Sequence, residues 1–148
     1  MFGSAVNAIW TPIVKTLARY LEIIVDPTYD DFSANSGSFR HAYLTSVAIY
    51  HAIDRAAEER GVAPRKVRQE WCRESLPFKL VDMLAHHLKH VQSSDEKAPT
   101  KSDTLPLHLV LGFDDAGEKM DLRHLYFMIR DAVRFVHIKA GTTHPKLP

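Results

Sequence analysis

SFRHAYLTSVAIYHAIDRAAEERG, residues 38–61, decides the fold class. Ser38 has an N-cap side chain, a hydroxyl able to accept from one of the free N–H groups that open a helix. Ala, Leu, Ile and Val dominate from there through Ala57. Gly61 supplies the stop, since helices commonly end on a residue in the left-handed region that glycine enters without strain. The pattern predicts one long helix, the clearest element in the chain.

Working outward toward the C-terminus, a short helix follows Pro64, carries Trp71 and ends near Ser75. Pro77 opens another, with Leu80, Val81, Leu84, Leu88 and Val91 as its apolar stripe. Residues 93–106 turn polar and hold two prolines, which predicts a mobile loop. Leu107 to Phe113 is short and apolar, and Asp114-Asp-Ala-Gly117 follows it. A small strand or hairpin near 107–120 is expected. Asp121 can cap a last helix of about 18 residues that ends before Gly141. Its core stripe is Leu122, Leu125, Ile129, Val133 beside Ala132, and Val136.

Toward the N-terminus, residues 28–38 are rich in Asp, Ser, Asn and Gly and read as a loop. Before them a first helix starts near Thr11-Pro12 and places Ile13, Leu17, Leu21 and Ile24 at helical spacing. Asp26-Pro27 is expected to end it. Residues 1–10 and 141–148 are expected to be flexible termini. The sum is one domain over residues 1–148: an all-α, antiparallel four- to five-helix bundle with a minor β element.

Nineteen Lys and Arg against eighteen Asp and Glu leave a formal charge of +1 over 148 residues. That balance excludes a generally basic nucleic-acid coat and an acidic disordered tail, but not a local basic face. Cys72 is the single cysteine, so no internal disulfide and no thiolate zinc site can form. A reducing, cytoplasmic setting is expected. The first basic residue, Lys15, follows the apolar N-terminal stretch, the reverse of a secretory signal. No run approaches the ~18 consecutive apolar residues of a membrane span, so no membrane partner is expected.

Nine histidines are many for this length. His51 and Asp54 are three apart on the long helix. Asp82, His86 and His90 follow at successive i+4 steps on the Pro77 helix. Two helices presenting His51, Asp54, His86 and His90 inward would offer nitrogen and oxygen ligands to Zn, Fe or Mn. The competing reading is a solvated face beside the apolar stripe, with His51 bonded to Asp54 or Tyr50.

The last helix carries Arg130-Asp131-Ala-Val-Arg134-Phe-Val-His137. Positions seven apart nearly eclipse at 3.6 residues per turn, so Arg130 and His137 share a side with Arg134 and Tyr126. A neutral imidazole can take a proton from a ribose 2′-hydroxyl. A guanidinium can grip the phosphate and offset the charge of the transition state, with no metal or other cofactor. Arg-Asp followed by five residues and His resembles the Arg-x4–6-His motif of HEPN domains, small helical bundles of nucleotide-associated and RNase-toxin systems. That resemblance otherwise covers only the bundle layout from about Ser38 to Gly141. It implies a metal-independent ribonuclease or RNA-binding role, with two protomers often forming one site. Carried over, Arg130 would bind phosphate, His137 would be the acid/base and Asp131 would orient them. The competing reading has Arg130 and Arg134 as solvated charges suited to a helix C-terminus.

Ala48-x-x-His51-x-x-Asp54, Pro77-Phe78 and Ala85-His-His-x-Lys89-His90 also look like the pattern of some small uncharacterised bacterial helical proteins, which implies no activity. Asp54, Lys89 and His90 would together suit a polar or anionic ligand, or form a buried network that sets helix register. Arg65-Lys66-Val-Arg68 with Trp71 and Arg73 reads as a solvated face anchored by the indole. The leading expectation is an RNA-associated module, with metal-independent ribonuclease activity as its enzymatic form. The rivals are a metal- or ligand-binding bundle and a non-enzymatic protein-interaction domain.

Overall fold

The computed structural model describes residues 15–89 and 122–147. The described chain is helical: α1 (Leu17–Tyr20), a π-helical turn (Leu21–Val25), α2 (Asp26–Ala34), α3 (Phe39–Arg60), α4 (Pro64–Glu74), α5 (Leu76–Lys89) and α6 (Leu122–Ala140). No β-strand occurs among the described residues, where a lone bridge pairs His144 with Leu147. The expected strand at 107–120 and the loop at 93–106 lie outside them. No described helix is long and apolar enough to cross a membrane.

The long helix forms as its caps dictate. Ser38 Oγ accepts from the backbone of His41 at 3.4 Å and meets the His41 ring at 2.7 Å. Gly61 turns at φ +63°, and Val62 N–H closes back on the Ala57 carbonyl. α3 is the hub against which every other described helix packs. Its buried side is built from small residues, Ala42, Ser46, Ala48, Ala52 and Ala56, which let neighbouring backbones come close. Ser46 returns its hydroxyl proton to the Ala42 carbonyl, so this polar group is buried without being left unpaired. Trp71 anchors α4, meeting Phe78 of α5 and Phe135 of α6 edge to face at 5.3 and 5.8 Å. On α6, Leu125, Ile129, Ala132, Val133 and Val136 are buried as the stripe predicts.

The first helix does not stop at Asp26-Pro27. Pro27 lacks the N–H of a regular helical bond, and its ring crowds the carbonyl four residues back. The chain answers by widening one turn: Asp26 N–H reaches the Leu21 carbonyl, five residues away. The helix then resumes with proline in its first turn, where the missing donor costs nothing. Residues 28–34 are therefore helix, not loop, and Tyr29 and Phe32 are core residues. The widened turn also rotates the apolar register, leaving Ile24 outside the core.

The C-terminal residues differ from expectation too. α6 ends at Gly141, φ +70°, and residues 141–147 fold back over α2 instead of fraying. His144 is 3% exposed and meets Tyr29 edge to face at 5.3 Å.

Candidate functional site

Arg130, Asp131 and Arg134 form one half-buried cluster along α6. Asp131 Oδ1 accepts from Arg130 Nε at 3.0 Å and from Arg134 Nη1 at 3.1 Å. Two guanidinium groups share a single carboxylate, which leaves the cluster with net positive charge. The Arg130 guanidinium also lies over the Phe127 ring, 4.7 Å from its centre, and Phe127 is 44% exposed. Asp131, expected to orient Arg130 and His137, contacts Arg130 and Arg134.

His137 lies apart from the cluster's open side. It is 4% exposed, and both ring nitrogens are engaged. Nε2–H donates to Asp26 Oδ1 at 2.7 Å, and Nδ1 meets Thr142 Oγ1 at 2.8 Å. A neutral ring with its proton on Nε2 accepts from the threonine at Nδ1. The imidazole therefore pins α6 to α2 and to the returning tail. It has no spare nitrogen to offer a ribose hydroxyl in this arrangement. Arg130 and His137 thus share a helix side without facing one site.

Between α2, α6 and the tail lies a cleft of about 300 Å³, lined by Tyr29, Ser33, Tyr126, Asp30, Lys146 and Leu147 among others. Three hydroxyls converge in it. Tyr29 donates to Tyr126 Oη at 3.2 Å, and Ser33 Oγ lies 3.4 Å from the same oxygen. These hydrogen bonds, from Ser33 first and then Tyr29, favour the phenolate and lower the Tyr126 pKa, with Arg130 and Arg134 adding to the effect. Tyr29 moves the other way, raised mainly by burial and then by its bond to Tyr126. Lys146 Nζ and the buried His144 Nε2 both face Asp30, each at 3.4 Å. The backbone N–H of Lys146 donates to His144 Nδ1 at 3.0 Å, which leaves the ring proton on Nε2, toward Asp30.

Of the histidines of the metal expectation, His51 and His86 are described, and each packs edge-on to the Tyr50 ring. Among the described residues, no three His, Cys, Asp or Glu side chains form a metal-holding group. His51 pairs with Asp54 at 3.2 Å on exposed surface. Asp82 is 4% exposed and spends both oxygens on Arg68, at 2.9 and 3.0 Å. His86 turns Nδ1 toward the same Asp82 carboxylate at 3.6 Å and packs edge-on to Tyr50 at 4.7 Å. His90 lies outside the described residues, and Lys89 is the last residue of α5. Of the set Asp54, Lys89 and His90, the structure thus describes only the side chain of Asp54, at the surface. Asp82 is the correction in this region: it is a buried ion-pair partner, not part of a solvated face.

Sequence reasoning missed Asp26, Tyr29, Ser33, Thr142 and His144. A signal existed for the first three. Asp26 with Asp30, and Tyr29 with Ser33, are i, i+4 pairs that share a face once the helix continues past Pro27. Nothing in the two-proline tail announces that His144 is buried.

No family model, curated protein or solved structure matches this chain.

Proposed function

We propose that the protein is an RNA-associated helical module that holds a single strand on the open side of α6 and does not cut it. The observation that carries this reading is the Arg130 guanidinium stacked on exposed Phe127. An exposed ring beside shared, net-positive arginines matches what single strands bind: a π-face for a base and cations for the adjacent phosphates. A near-neutral chain is compatible with strand binding where positive charge is local, as it is around the two arginines that share Asp131. The Arg130-x6-His137 resemblance to HEPN domains supports RNA as the ligand class. The two protein partners of His137 weigh against cleavage, because an acid/base must present a nitrogen to its substrate.

The test is fluorescence anisotropy of a labelled single-stranded oligoribonucleotide at low salt, with cleavage followed in parallel in EDTA. Phe127→Ala and Arg130→Ala should each weaken binding by about tenfold, and Arg130→Ala should flatten the salt dependence. Wild-type affinity in both variants would remove the reading. Metal-free cleavage that disappears in a folded His137→Gln variant would replace it with the ribonuclease reading.

A further inference from the structure

The cleft beside this face holds hydroxyls and a lysine that strand binding on α6 does not use, with Arg130 between the two. Its three hydroxyls are arranged so that Tyr29 and Ser33 point toward one oxygen, Tyr126 Oη. A phenol that accepts from Tyr29 still has its own proton to give, to Ser33 Oγ or to a ligand. Tyr126 is thereby a donor at the mouth of a cavity, whose proton a ligand oxygen can take over from Ser33. Cations flank it: Lys146 lines the cleft, and Arg130 stands one helical turn from Tyr126 on the same helix. The remaining walls, the rings of Tyr29 and Tyr126 with Leu147, are apolar surface suited to a flat organic body.

Size and charge narrow the ligand. About 300 Å³ is at the small end of ligand sites and exceeds what a bare inorganic anion fills. A phenol hydroxyl in a cleft lined by a primary ammonium, with a guanidinium one helical turn away, matches a doubly charged, three-oxygen group better than a singly charged carboxylate. Asp30 is the opposing charge, and it already faces Lys146 and His144. An incoming dianion therefore competes with Asp30 for the lysine, and His144 Nε2 still faces that carboxylate at 3.4 Å.

We propose that the cleft between α2, α6 and the tail is a phosphomonoester pocket that takes the phosphorylated end of a nucleotide chain. Tyr126 donates to a phosphate oxygen, Lys146 and Arg130 neutralise the dianion, and the terminal sugar or base packs against the tyrosine rings. The proposal deepens the RNA reading by naming which strands bind best, those that end in phosphate. The pocket itself can be tested without a strand.

Uridine 5′-monophosphate and uridine are titrated separately into the full chain by calorimetry. One oligoribonucleotide is then compared in its 5′-phosphorylated, 3′-phosphorylated and unphosphorylated forms. The monophosphate should bind at least about tenfold more tightly than the nucleoside. Tyr126→Phe and Lys146→Gln should each erase most of that difference. Lys146 is a surface side chain, so its variant keeps the test valid if loss of the Tyr126 hydroxyl unsettles the fold. Asp30→Asn should tighten monophosphate binding several-fold. Equal binding of nucleotide and nucleoside overturns the pocket, as does monophosphate binding that neither variant changes. Phosphorylated and plain strands that bind alike would overturn end recognition and leave strand binding intact. A monophosphate that binds while no strand does would remove the RNA reading and keep the pocket. The two phosphorylated strands distinguish which end the pocket accepts.

Discussion

Replacing His137 with alanine separates a structural imidazole from a catalytic one, and the structure sets the size of the effect. The ring is buried and bonded on both nitrogens, to Asp26 at 2.7 Å and Thr142 at 2.8 Å. A hydrogen bond to a charged group contributes about 1.5–3 kcal/mol, and leaving the mostly buried Asp26 carboxylate unpaired adds to the loss. Losing the packing of a buried ring costs about 1–2 kcal/mol more. The expected total is about 3–5 kcal/mol, a large part of the roughly 5–15 kcal/mol typical of a domain. At this chain length the midpoint should fall by about 6–20 °C in a calorimetric or circular-dichroism melt. His137→Gln keeps a donor near the Nε2 position and should recover part of that loss. A His137→Ala melt within about 2 °C of wild type would refute the bracing role. It would also make loss of RNA cleavage in that variant, should any cleavage be found, direct support for chemistry at His137.

Three further predictions concern other buried groups. Arg68→Ala should destabilise by about 3–5 kcal/mol, because it strands the Asp82 carboxylate in the interior. Asp82→Asn should cost less, since Arg68 is partly exposed and can hydrate; urea melts that reverse this order would refute the asymmetry. The Cys72 thiol is pushed up to about 11 by burial, with the Asp82 charge adding to it. Because the thiolate is the reactive form, alkylation at pH 8 should run on the order of a hundredfold slower than for an exposed thiol and recover in urea; fast native labelling would contradict this. Tyr126 should ionise below the ordinary tyrosine range in an ultraviolet titration, since Ser33 and Tyr29 donate to its phenolate. Removing a donor with Ser33→Ala must therefore raise that midpoint, and the lowered native value means that this group adds stability as pH rises through it; no movement in Ser33→Ala would sink the assignment.

What was legible in the sequence is what short-range chemistry decides. Ser38 and Gly61 bound α3, Pro64 opens α4, and the α6 stripe from Leu125 to Val136 reads directly as a buried face. The grouping of Arg130, Arg134 and Tyr126 was legible by the same arithmetic. The inward turn of His137 was not. On an ideal wheel it lies about 20° from Arg130 and about 40° from Val133, on the border between the polar side and the core. Its fate depends on whether another element covers that border. Asp82 is a similar case: its burial depends on Arg68 from the neighbouring helix, and no pattern within α5 encodes that partner.

The covering element is α2, and one local event puts it there. Asp26-Pro27 is a sound reason to end a helix, but a single π-turn removes the clash at lower cost than abandoning the helix, since one widened turn keeps its neighbours bonded. With the helix continued, Asp26 and Asp30 fall on one face and meet His137 and His144, while Tyr29 and Ser33 meet Tyr126. A chain that stopped at Pro27 would leave His137 at the surface, free to act as the sequence suggests, and there would be no cleft. π-turns are often found at functional sites because the extra residue shifts every side chain beyond it around the helix. Here that shift closes the histidine off and assembles the hydroxyl cluster, so the residue that misdirects the sequence reading is also the one that builds the site.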